Sequence, residues 1–295
     1  YSKKGKCSLF KTKPQQLREV PSAGHNREKN RFLDLNRPFL ADLGVTNKQH
    51  ELIPAMSRKW KQINKFIEVF SLPLTSSPLA LDSPVRVADF GSGKGYLTFA
   101  IHDYLRNTLK AEAQVTGVEL REDMVTLCNA AAAKLEHPGL VFKCGDVRSV
   151  APSELDVMIA LHACDIATDY AIHTGIRSGA SIIMCSPCCH KQIRLQIQSP
   201  ALLKPMLQYG LHLGQQAEMV TDSLRALFLE ACGYETKVFE FISLDHTNKN
   251  KMILAVKRAE PGDPAQLLAK IQELKAFYHI TEHCLETLLR ADGYL

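Results

Sequence analysis

The 295-residue sequence has a single tryptophan, and no apolar run approaches the about 18 residues that a membrane-spanning helix needs. A transmembrane anchor is therefore excluded, and no secretory leader is visible. The chain starts at Tyr1 without a methionine, so it reads as truncated there. Internal repeats are absent, and the length suits one large domain with an appendage. No Gly-Lys-Ser/Thr closes a glycine loop, which excludes a Walker A phosphate site. A Gly-x-Gly-x-x-Gly fingerprint is missing too, because Tyr96 stands where the third glycine would be needed. That absence excludes the usual dinucleotide site.

What is present is ordinary in bulk and uneven in charge. The composition, 45% hydrophobic and 23% charged, is that of a soluble globular protein. Nine cysteines on an α/β pattern point to free thiols in a reducing, cytoplasmic compartment, not to a disulfide framework. Residues 1–70 hold 15 Lys/Arg against 6 Asp/Glu, whereas the whole chain is only +5, so the remainder is at −4. A basic N-terminal face suits a polyanion such as RNA or a ribonucleoprotein. The competing reading is a solvated leader whose lysines do nothing specific. No membrane partner is expected.

The informative stretch is Asp89-Phe-Gly-Ser-Gly-Lys-Gly-Tyr-Leu97. A short apolar run (Val85, Val87, Ala88, Phe90) leads to it, and a helical pattern (Leu97, Phe99, Ala100, Ile101) leaves it. Glycines at 91, 93 and 95 in such a strand-to-helix turn permit positive φ and let a ligand come close to the backbone. The acidic-x-Gly-x-Gly-x-Gly spacing resembles motif I of class I S-adenosylmethionine-dependent methyltransferases. In that family the loop passes under the methionine and ribose portions of the cofactor. A carboxylate at Asp89 suits a ligand carrying an ammonium and a sulfonium, where a pyrophosphate would be repelled. The next strand ends in Glu119, whose carboxylate can accept from both ribose hydroxyls. The third ends in Gly145-Asp146, which by resemblance faces the adenine. Ser92, Tyr96 and Leu161 complete the expected cofactor-side residues.

Alternation of strands and helices from Val85 predicts a Rossmann-like, seven-stranded, mostly parallel sheet with an antiparallel last strand. The spacing predicts a helix with Met56, Trp60, Ile63, Ile67 and Phe70 on one stripe, where Trp60 reads as core and not as a base-stacking platform. Residues 71–84 are turn-rich. Strands are expected at 115–119, 140–146, 155–161, 180–185, 234–242 and 252–257, with helices at 122–135, 167–176 and 223–232. The organisation that follows is an arm over 1–24, a helical appendage and linker over 25–84, the cofactor-binding domain over 85–258, and a helical extension over 259–295.

Two unusual strings fall at strand ends, where doubly wound sheets bind ligands. They are Leu161-His-Ala-Cys-Asp-Ile-Ala-Thr-Asp169 and Cys185-Ser-Pro-Cys-Cys-His-Lys191. In one reading His162 and Asp165 orient the acceptor or take its proton, with Pro187 and His190 beside it. The bland alternative makes Asp165 a helix N-cap. In a second reading Cys164, Cys185, Cys188, Cys189 and His190 hold a metal, although adjacent cysteines do not easily share one ion. In a third, Cys188 is a nucleophile, since Pro187-Cys188 is similar to the Pro-Cys of cytosine C5 methyltransferases. The catalytic candidates are accordingly His162, Asp165 and Cys188, with no metal assigned.

Together with the glycine string these sequences resemble a methyltransferase family of bacterial proteins, eukaryotic methyltransferase-like and ribosomal-RNA-adenine-dimethylase-domain-containing proteins, and the C-terminal domain of a glutathione-transferase-like protein. The likeness spans most of residues 25–258. Leu161-His-Ala-Cys-Asp165 is also similar to a tRNA 2′-O-methyltransferase family. No Asn-Pro-Pro-Tyr motif is present, so methylation of an exocyclic amine is not supported. The resemblance implies S-adenosylmethionine as cofactor and does not settle the acceptor, for which the tRNA-family likeness and the basic N-terminal region favour RNA. A protein acceptor, or a non-catalytic cofactor-binding module, is the alternative.

Overall fold

A computed structural model of the chain describes residues 31–150, 152–161, 163–241, 250–260 and 262–295. The chain divides into Tyr1–Arg31 and Phe32–Leu295, and everything below concerns the second unit. The arm expected over residues 1–24 lies outside the described residues.

Seven strands form one sheet: β1 Val85–Phe90, β2 Ala113–Glu119, β3 Leu140–Cys144, β4 Val157–Ala160, β5 Ile182–Cys185, β6 Tyr234–Glu240 and β7 Lys251–Lys257. Their order is β3-β2-β1-β4-β5-β7-β6. β1 to β5 pair in parallel, and β7 inserts antiparallel between β5 and β6. The expected architecture, with its antiparallel last strand, is the one observed.

The period-2 alternation of the central strands gives each face its own core. Val85, Val87, Val157 and Ile159 join one cluster, and Ala88, Phe90, Met158 and Ala160 join the other. On the first face lie α1 Pro38–Asp42, α2 Ser57–Ser76, α3 Tyr96–Asp103 and α4 Glu122–Lys134. On the second lie α5 Ile166–Arg177, α8 Gly210–Ala231, α9 Pro264–Tyr278 and α10 Cys284–Ala291, with the short α6 Lys191–Gln196, while the short α7 Lys204–Leu207 packs on α8. The α2 stripe is real: Trp60, Ile63, Ile67 and Phe70 are buried in the same cluster as β1 and β2. Burial of each contributes about 1.5–3 kcal/mol. The helices expected at either end of the chain thus complete the two faces of the sheet.

Two helix boundaries differ from expectation. α2 runs six residues beyond Phe70 and through Pro73. The proline removes one helical hydrogen bond, but Pro73 and Leu74 are both buried, which offsets the loss. α8 begins at Gly210 instead of Ser223. Gly210 and Gly214 each disfavour a helix by about 1 kcal/mol relative to alanine, and exposed Leu211 and Met219 blur the stripe.

Candidate active site

The strand order reverses between β1 and β4, which places a crevice beyond the carboxyl ends of β1 to β4. The glycine loop forms its floor. Gly91, Gly93 and Gly95 have φ of 78°, 55° and 70°, a left-handed region that side chains with a Cβ enter at a cost. The N–H groups of Gly91 and Ser92 donate to the Val118 carbonyl at 2.8 and 3.1 Å, tying the loop to β2. At the end of β2, Glu119 accepts from Gly93 N–H at 2.9 Å through Oε2 and from Arg121 N–H at 3.1 Å through Oε1. Each carboxylate oxygen keeps a lone pair for a further donor.

These elements enclose a cavity of about 570 Å³, a size usual for small-molecule sites. Gly91, Gly93, Glu119 and Asp146 line it, as do Leu120 and Ile166, two exposed apolar side chains. Bare backbone, a carboxylate at a strand end and apolar walls fit the methionine, ribose and adenine portions of S-adenosylmethionine. Asp146 is engaged from its own turn. Oδ1 accepts from the N–H groups of Arg148 and Ser149, and Oδ2 from the Arg148 guanidinium at 2.6 Å. The guanidinium holds this carboxyl down at about 2.

Asp89, Ser92, Gly95, Tyr96 and Leu161 are not among the lining residues. Asp89 sits behind the loop, buried, and faces the first turn of α3, where Thr98 Oγ1 donates to it at 2.7 Å. Burial pushes its carboxyl up to about 6, partly opposed by that hydrogen bond. Its place is that of a loop support, not a direct contact to a cationic ligand. Tyr96 opens α3 with Lys59 Nζ 5.3 Å over its ring. Leu161 belongs to the core.

On the acceptor side, His162 lies outside the described residues. Asp165 occupies the N-cap position of α5, but its side chain makes no capping bond and its φ is 52°. The bland N-cap reading therefore fails. Strain of this kind at a non-glycine residue costs about 1–3 kcal/mol and needs the surroundings to impose it. Its Oδ1 accepts from Gln192 N–H at 3.3 Å, and its carbonyl from Arg225 at 2.9 Å. Cys188 lies beside two other thiols, and burial, with those neighbours, pushes its own up to about 12. A thiol is a weaker nucleophile than its thiolate. Pro187 is buried. The His190 side chain is buried too, with Nδ1 3.8 Å from Asp222 Oδ1, and burial lowers its ring to about 4.

Arg225 is the residue the sequence reading misses. It is 1% exposed, and its Nε and Nη2 donate to both oxygens of Asp169 at 2.9 and 2.8 Å. The same Nη2 holds the Asp165 carbonyl, so α8 fixes the strained start of α5. A signal was available: Arg225 stands between Leu224 and Phe228 on the apolar face of α8. A lone charge at such a position asks for a buried partner.

Among the described residues, no helix is long and apolar enough to cross a membrane. Residues 58–196 match the family model described as a methyltransferase domain. Glutathione S-transferase C-terminal domain-containing proteins of Homo sapiens and Macaca fascicularis are each 26% identical over 223 residues, covering 68% of this chain and 33% of theirs. The chain thus spans about a third of the length of the curated relatives it matches. A putative S-adenosylmethionine-dependent methyltransferase from Methanococcus maripaludis aligns at a TM-score of 0.42 and 11% identity, covering 80% of this chain and 99% of that one. TYW2 of M. jannaschii, solved with AdoMet, aligns at 0.38 and 11%, covering 65% and 74%. At TM-scores this low, neither bears on the reaction. The family match begins inside α2 and ends with α6, so it takes in the whole cavity and supports a class I S-adenosylmethionine-dependent methyltransferase there.

Proposed function

We propose that the chain transfers a methyl group from S-adenosylmethionine to RNA. The observation that carries the RNA reading is the placement of a basic helix start beside the cofactor loop. Lys59 reaches from α2 over Tyr96, next to the glycines, while Arg58 and Lys61 stand exposed on the same turn. The surplus of nine positive charges in residues 1–70 extends that character along the chain. A polyanion drawn to Arg58, Lys59 and Lys61 lies beside the glycine loop.

When bound, the cofactor supplies an electrophilic methyl group on a sulfonium. Glu119 holds the ribose hydroxyls, the backbone of Gly91 and Gly93 gives close approach, and Leu120 and Ile166 flank the base. Transfer is an in-line displacement that depends chiefly on alignment. In this reading Asp165, between the cavity-lining Cys164 and Ile166 and with its backbone carbonyl held by Arg225, orients the acceptor or takes its proton.

Calorimetry of the purified chain with S-adenosylmethionine and its demethylated product tests the enzyme reading, and absence of uptake for both overturns it. Incubation with methyl-labelled cofactor and cell extract, followed by nuclease or protease, tests the acceptor. Label released by nuclease is expected; label that survives nuclease and is lost to protease assigns a protein acceptor instead.

A further inference from the structure

Three thiols converge where β4 and β5 end, and the cofactor site does not account for them. Cys164 Sγ lies 3.2 Å from Cys188 Sγ, and Cys188 Sγ lies 3.7 Å from Cys189 Sγ. All three sulfurs are within 4.8 Å of one another. None of the three is in a disulfide. Burial of apolar surface does not explain the cluster, because Cys164 is exposed and the other two are only half-buried, unlike Cys128 and Cys185 in the core. The spacing is informative. With a metal–sulfur bond of about 2.3 Å, two sulfurs of a tetrahedral site stand about 3.8 Å apart. The observed separations of 3.2 and 3.7 Å lie just below that value. Adjacency in sequence is no obstacle here, since the loop after Pro187 already turns the sulfurs of Cys188 and Cys189 toward the same point.

We propose that Cys164, Cys188 and Cys189 bind one zinc-class divalent cation as thiolates, with the fourth coordination position on the exposed side, where Cys164 also lines the cofactor cavity. Binding breaks three S–H bonds, forms three metal–sulfur bonds and releases three protons to solvent, with no change of oxidation state. Three protein ligands with one open position is the arrangement of a reactive metal site, not a closed structural one. Its relevance to the methyl acceptor rests on the methyl-transfer reading; the metal site itself does not.

The test is metal content of the full chain after dialysis against zinc and then against metal-free buffer. Zinc stoichiometric with protein is expected. It should fall at least tenfold in Cys164→Ser, an exposed position that leaves the core untouched, and stay unchanged in Cys144→Ser, an exposed cysteine outside the cluster. Cobalt substitution adds a readout that folding alone does not move: thiolate-to-cobalt charge-transfer bands, lost stepwise as the three cysteines are replaced. A chain that retains no zinc, a cobalt spectrum without sulfur bands, or a Cys164–Cys188 disulfide found by mass spectrometry overturns the proposal. Cofactor uptake measured on the same preparations separates failure of the metal site from failure of the methyltransferase reading.

Discussion

The two halves of the crevice solve the problem of holding charge in opposite ways. On the β1–β3 side the lining acids, Glu119 and Asp146, sit at strand ends with backbone N–H groups as partners. On the β4–β5 side the charges are sunk between helices: Arg225, Asp169 and Asp222 are each at most 3% exposed. The first half is built from one local motif and a few neighbouring residues. The second depends on α5 and α8, whose partners stand 56 residues apart in sequence. A site made of backbone and half-buried carboxylates tolerates change one residue at a time. A buried ion pair does not, because removing one member leaves the other charged and dry.

The largest expected effect follows from that difference. Arg225→Met should destabilise the fold by about 3–5 kcal/mol, the usual cost of stripping a buried carboxylate of its partner. Urea unfolding measures it, and the double variant with Asp169→Leu should recover much of the loss. A cost below about 1 kcal/mol would break the comparison, since it would make the acceptor side as forgiving as the cofactor side.

Asp89 is the exception on the cofactor side, and it sharpens the rule. Its carboxyl is raised from 3.8 to about 6, chiefly by burial. A raised folded-state value means that the protonated form suits the fold. The stability contribution is whole below about pH 4 and is lost as pH rises through 6. Asp89→Asn keeps an acceptor for Thr98 and removes the charge. It should stabilise the chain by up to about 3 kcal/mol at pH 8 and by almost nothing at pH 4. A gain of the same size at both pH values would show that charge burial is not the cause.

Third in size is Glu119→Ala, expected to weaken cofactor binding at least tenfold, about 1.4 kcal/mol, with little change in unfolding free energy. Calorimetry at fixed salt checks it. Unchanged affinity would remove Glu119 from the ribose position.

The asymmetry also explains what the sequence disclosed. The glycine string, the strand-end acid Glu119, the alternation that builds the sheet and the antiparallel β7 are encoded within short windows, so spacing alone locates them. Trp60 could be placed in the core because its stripe repeats at helical period. Asp89 could not be placed correctly from spacing: its sign suits a cationic ligand, but its direction depends on Thr98 across the α3 turn. Asp165 reads equally as an acceptor-side group or an N-cap until its φ and its missing capping bond are known. Arg225 and the meeting of Cys164 with Cys188 are tertiary facts. Nothing within a window of Arg225 names its partner, whereas the metal reading grouped Cys164 with Cys188 among five candidate ligands without singling out the three that meet.

The smallest effect separates two acids that look alike in sequence. Asp146 lines the cavity as Glu119 does, yet its oxygens are taken by Arg148 and Ser149 of its own turn. An acceptor already satisfied three or four times has little left for an adenine amine. Asp146→Asn should therefore weaken cofactor binding by less than roughly threefold, under about 0.7 kcal/mol, against tenfold or more for Glu119→Ala. The same calorimetric titration reads both. Equal losses would mean that Arg148 releases Asp146 when the cavity fills, and then Arg148→Ala, which frees the carboxylate beforehand, should bind the cofactor more tightly than the parent chain.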